Sequence, residues 1–128
     1  MKGKVVHFEL PWDNEKRART FYKKTFEWGM SPVPGEEYTM VQTAASDKMG
    51  MSKEKGVING GIAERGPPLK RPSVTVMVDD IDAAAKAIKK NGGKIVRKKM
   101  AIGEGMGFVA YFKDTEGNVL GLVEFSRS

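Results

Sequence analysis

The chain has 128 residues, no cysteine and a single histidine, His7. Without thiols it has no disulfide framework, no thiolate metal site and no cysteine nucleophile. Long apolar runs are also missing. No stretch approaches the ~20 residues needed to cross a bilayer, and the opening lacks the apolar segment of a secretion signal. No membrane partner and a cytoplasmic location are therefore expected. Acidic residues are scarce: 16 Asp and Glu against 22 Lys and Arg leave a net charge of +6. The imbalance is local, because Lys86, Lys89, Lys90, Lys94, Arg97, Lys98 and Lys99 have no acidic residue among them. Such a charge suits acidic ligands. The segment lacks the interleaved aromatics on which single-stranded nucleic acid stacks, so it reads as a solvated lysine-rich face, and nucleic acid is not the expected partner.

What is present is ordinary for a folded domain: 40% apolar and 30% charged residues. The length corresponds to one domain, 1–128. Val5-Val6-His7-Phe8-Glu9-Leu10 alternates, which puts Val6, Phe8 and Leu10 on one face and His7 and Glu9 on the other. Pro11 is expected to close this strand, and Asp13 or Asn14 to cap a helix. That helix has the apolar stripe Ala18, Phe21, Tyr22, Thr25, Phe26, and Gly29 is its expected stop. Strands are predicted near 30–33, over 37–43 and over 57–64, the last two separated by a polar loop.

"RGPPLKRP" at 65–72 reads as a linker, since its prolines lack ladder donors. The pattern then restarts. A strand over 73–80 has Val74, Val76 and Val78 on one face and Ser73, Thr75 and Met77 on the other. Asp80 caps a helix with the stripe Ile81, Ala84, Ala85, Ile88, and Gly92-Gly93 ends it. Strands follow at 94–98, 107–113 and 118–125, the last two joined by "DTEG". Each half thus reads strand, helix, three strands, with an offset of about 66 residues from His7 to Ser73. The expected class is α+β: two tandem βαβββ modules, 1–64 and 73–128, forming a curved mixed sheet around a cleft, with the helices packed on the opposite side.

Four stretches together resemble the vicinal oxygen chelate superfamily of glyoxalase I, bleomycin-resistance proteins and extradiol dioxygenases. They are the histidine strand leading into "FELPWDNEKRARTFYKKTFEWGM", the strand "INGGI", "VTVMVDDIDAAAKAIKKNGGKIV", and the ending "VAYFKDTEGNVLGLVEF". The ending is most similar to the subgroup of predicted lactoylglutathione-lyase-related enzymes. The resemblance implies a divalent metal held by one residue from each of four strands. His7 falls on the first ligand position, Asn59 or Gly60 on the second, Ser73 on the third and Gly121 on the fourth. Serine and glycine offer neither imidazole nor carboxylate, so no metal or other cofactor is expected.

His7 admits three readings: an imidazole hydrogen-bonded to Glu9 or Ser73, a base or anchor in a small-molecule cleft with Glu9 orienting it, or a metal ligand. Trp12, Tyr38, Asn59, Ser73, Thr75, Met77, Tyr111 and Gly121 are the candidate substrate-binding residues beside the catalytic candidates His7 and Glu9. Three functions follow: a small-molecule-binding enzyme of unassigned reaction working without metal, a non-catalytic binder that sequesters a compound as bleomycin-resistance proteins do, or a metal-dependent lactoylglutathione lyase or dioxygenase. The resemblance also implies a homodimer, which would cover sheet edges. After expression with nickel, zinc, manganese or iron and dialysis, elemental analysis should find no stoichiometric metal, in the wild type or in His7→Ala. Stoichiometric metal lost in His7→Ala would restore the metal-dependent readings.

Overall fold

A computed structural model describes residues 2–103 and 105–126. The chain forms two compact units, Val6–Pro72 and Met1–Val5 with Ser73–Ser128. The first contains most of β1 (Lys4–Trp12), then α1 (Glu15–Phe26), β2 (Gly29–Pro32), β3 (Tyr38–Gln42) and β4 (Asn59–Glu64). Its strands lie in the order β2-β3-β4-β1, with β1 parallel to β4 and the other neighbours antiparallel. The second contains β5 (Ser73–Met77), α2 (Ile81–Lys90), β6 (Lys94–Ala101), β7 (Gly107–Lys113) and β8 (Val119–Phe125). Its order, β5-β8-β7-β6, repeats the first, again with one parallel pair, β5 with β8. The α+β class and the repeated βαβββ unit follow the sequence pattern. Among the described residues no helix is long and apolar enough to cross a membrane.

Several boundaries differ from expectation. β1 runs through Pro11, which pairs with Ala63. The Arg65 N–H donates to Trp12 O, so Trp12 turns its polar groups to β4 while Pro11, with no N–H, points its missing donor away. Asn14 is the cap of α1, its Oδ1 accepting from Arg17 N–H at 2.9 Å. The helix ends at Glu27 in the left-handed region (φ 59°) rather than at Gly29, which begins β2. The expected linker is a tied turn: Arg65 pairs with Asp13 at 2.8 Å and donates to Lys70 O, and Leu69 is buried. β6 is longer than expected and carries two register shifts.

In the first unit the register puts Phe8, Leu10, Val41 and Ile62 on one sheet face, and Val41 and Ile62 are fully buried. Trp28 links that face to the helix, with ring centroids 5.8 Å from Phe8 and 4.9 Å from Tyr22. α1 itself buries no residue. In the second unit Val78, Ile81, Ala84, Ala110 and Leu122 form the core between α2 and the sheet. Ile62→Ala removes a large side chain from a site with no slack, and should lower unfolding free energy by about 2–5 kcal/mol in chemical denaturation.

Candidate functional site

The opposite face of the first unit gathers polar side chains. Strand alternation and register put His7 and Glu9 of β1 on the same face as Asn59 and Gly61 of β4 and Tyr38 and Met40 of β3. His7 Nε2 and Tyr38 Oη lie 2.7 Å apart in a hydrogen bond that crosses β4. The rings are nearly parallel, 19° apart with centroids at 6.4 Å. The bond is possible because β4 has glycine beneath it. A Cβ on Gly61 would collide with the Tyr38 ring and hydroxyl, and one on Gly60 with Phe8 on the other face. The sequence suggested Glu9 or Ser73 as the partner of His7; the hydrogen bond found is to Tyr38, a residue 31 positions away that alternation alone could not pair with it.

Burial pushes the His7 imidazole below its ordinary value near 6.5, because the imidazolium is poorly solvated there; the charge of Glu9 opposes this more weakly. The ring is therefore neutral at pH 7. Glu9 is itself buried at 5% exposure, an uncommon place for a carboxylate, and it would favour positive charge on His7 once a proton arrives.

Asn59 is engaged differently. Its Oδ1 accepts from Thr43 N–H at 2.8 Å and Ala44 N–H at 3.0 Å, and its Nδ2 donates to Ser46 Oγ at 2.7 Å and Gly50 O at 3.3 Å. All four bonding positions hold the loop after β3 in place. Trp12 falls by alternation with Phe8 and Leu10, away from His7. The remaining candidates lie in the second unit. There Thr75, Met77, Tyr111 and Gly121 share the face opposite α2, Thr75 pairing with Gly121 and Gly121 with Tyr111. Ser73 Oγ donates to Val119 O at 2.8 Å. Thr75 takes the position that Glu9 has in the first unit, and both are buried. Glu124 points to the helix side, where Oε1 accepts from Ile81 N–H at 2.8 Å.

The metal implied by the resemblance does not suit these residues. Among the described residues no group of three or more His, Asp or Glu side chains could hold an ion. At the second ligand position the Asn59 amide is already fully bonded, and Gly60 has no side chain.

Two expectations follow. Gly61→Ala should displace Tyr38 and break its bond to His7, costing about 1–3 kcal/mol from overpacking and moving the His7 ring resonances in NMR spectra. His7 binds its proton less readily folded than unfolded, so its contribution is full above about pH 6.5 and is lost as pH falls through its lower folded value. Unfolding free energy should therefore decline below pH 6.5, and His7→Gln should flatten that decline. Asp13 and Asp114, held low by hydrogen bonds from Arg65 and Asn118 respectively, lose their contributions only in more acidic solution.

Residues 4–122 match the model of the Glyoxalase/Bleomycin resistance protein/Dioxygenase superfamily. A glyoxylase-like domain-containing protein of Didymella fabae is 28% identical over 123 residues, 92% of this chain and 91% of that protein. Among solved structures, a hypothetical protein of Bacillus halodurans C-125 superposes with TM-score 0.65 at 14% identity, covering 100% of this chain and 98% of that one. A methylmalonyl-CoA epimerase in complex with methylmalonyl-CoA and NH4+ superposes with TM-score 0.67 at 14% identity, covering 98% and 96%. The epimerase from Mycobacterium tuberculosis does so with TM-score 0.61 at 12% identity, covering 96% and 88%. The family match over nearly the whole chain, with the repeated βαβββ unit and the histidine on its first strand, establishes that this chain belongs to the glyoxalase/bleomycin resistance protein/dioxygenase superfamily.

Proposed function

We propose that the chain is a metal-free enzyme of this superfamily that binds a small carbonyl compound at the His7 face of its first unit and moves a proton at the carbon beside the carbonyl. The observation that carries this reading is the 2.7 Å bond between His7 Nε2 and Tyr38 Oη on a neutral, mostly buried imidazole. With Nε2–H donating to the phenol oxygen, the Nδ1 lone pair is the proton acceptor. The substrate C–H bond breaks, its electron pair passes to the carbonyl oxygen as an enolate, and the proton rests on Nδ1. Glu9 stabilises the imidazolium so formed, and return of the proton to carbon completes an isomerisation or epimerisation. An imidazole that burial keeps neutral is able to accept that proton. The word epimerase in the names of the fold neighbours denotes a reaction this step would accomplish. At 14% identity they support the fold and not the substrate.

The lack of a metal donor set among the described residues also favours a second reading, a binder that sequesters its ligand without changing it. Deuterium exchange separates the two. Small 2-oxo acids, 2-hydroxy ketones and short acyl thioesters incubated with the protein in D2O, followed by proton NMR, should reveal exchange at the carbon beside the carbonyl for at least one compound. His7→Gln should slow it about 100-fold or more, and Tyr38→Phe should slow it less, about tenfold. The wild-type rate should fall as pH drops through a value below 6.5. Saturable binding with no exchange in any compound would establish the sequestering role instead.

A further inference from the structure

The lysine-rich segment remains unexplained by the His7 face. In the second unit α2 and β6 border a groove of about 540 Å³ on the helix side of the sheet, in the range of small-molecule pockets. Its apolar lining comes from Ile81 and Ala85 of α2, Ile95 of β6 and Ala110 of β7. Lys89, Lys98 and Lys99 stand around it, Lys94 borders it at the start of β6, and Asp82 is the one acidic residue among the described lining residues.

The local geometry of β6 builds this arrangement. Ile95 pairs with Phe112 of the core side, but a register shift then pairs Arg97 with Tyr111, on the face away from α2. A second shift separates Arg97 from Met100. In a regular strand Lys98 and Lys99 would point to opposite faces; here both line the groove. Lysines on an edge strand commonly serve only to discourage sheet pairing. That role requires neither two bulges nor an apolar floor. The charge is also not cancelled locally. Asp82 is engaged by Lys99 at 3.1 Å, and Lys99 lies over the Phe108 ring at 4.4 Å. Among the described residues no ion pair engages Lys89, Lys94 or Lys98.

We infer that this groove is a second binding site, separate from the His7 face, for a free amphipathic anion: an apolar body lying on Ile81, Ala85 and Ile95, with a phosphate or carboxylate head held by Lys89 and Lys98. Concavity and the apolar floor favour a small molecule over a nucleic-acid backbone, which needs only an exposed row of charge.

Octyl phosphate, below its micelle concentration, is the probe, titrated calorimetrically into the full chain. It should bind at least about tenfold more tightly than either inorganic phosphate or octanol, since each of these supplies only half of the complement. The Lys89→Gln/Lys98→Gln double variant should lose about tenfold or more in affinity. Ala85→Leu, which fills the floor and leaves the charge, should weaken octyl phosphate and leave inorganic phosphate unchanged. These are surface and groove-wall changes, and an unaltered melting temperature confirms that the fold is intact. Equal binding of octyl phosphate and inorganic phosphate, equal binding of octanol, or an unchanged affinity in the double variant would overturn the proposal. So would binding of a short DNA duplex or of anionic phospholipid vesicles that octyl phosphate cannot displace.

Discussion

Gly61 has no side chain, and the polar face of the first unit depends on that. β4 lies between β1 and β3, so His7 and Tyr38 stand on strands two places apart, about 10 Å between backbones at ordinary strand spacing. Two ring side chains can span that distance only if nothing rises from the strand between them. With glycine there, the phenol lies across the sheet and meets the imidazole; a methyl group at that position would occupy the space of the Tyr38 hydroxyl. The hydrogen bond is thus a property of three strands in register and not of any local sequence motif.

The rest of the face satisfies its polar groups around that bond. Among the described residues no buried side-chain nitrogen or oxygen lacks a hydrogen-bond partner, as expected where an unpaired polar group would cost more than a bond contributes. Asn59 shows the principle most clearly. Directly paired with His7, it turns its amide to the loop over 43–50 and bonds it at four points. A position where the superfamily resemblance anticipated a metal ligand therefore serves to order backbone. The buried carboxylate of Glu9 adds a negative charge beside a ring that burial keeps neutral, so two opposed influences act on the imidazole and burial is the larger.

The two units share their topology and differ in what they place on equivalent positions. Thr75 stands where Glu9 does, and Gly121 pairs with Thr75 and Tyr111 as Gly61 pairs with Glu9 and Met40. The helices differ as well. α2 buries Ile81 and Ala84 on its sheet, whereas α1 buries no residue and is joined to its sheet through Trp28. Repetition set the scaffold, and chemistry was then distributed unevenly over it: the histidine and buried acid in the first unit, most of the excess positive charge in the second.

The sequence by itself determined the secondary elements and their repetition. Alternation in "VVHFEL" and "SVTVMV", the helical stripes and the Asp80 cap are local signals, readable because they depend on neighbours only a few residues away. Alternation also assigned His7 and Glu9 to one face. Other features depended on contacts between distant segments. Pro11 remains in β1 because β4 takes the polar groups beside it, and Glu27 ends α1 in a left-handed turn that a sequence reader would have reserved for glycine. The partner of His7, the commitment of Asn59 to a loop and the meeting of Lys98 with Lys99 on one side of β6 were decided only by tertiary structure. Each requires strand register, and register is set by side chains packing across a sheet between residues far apart in the chain.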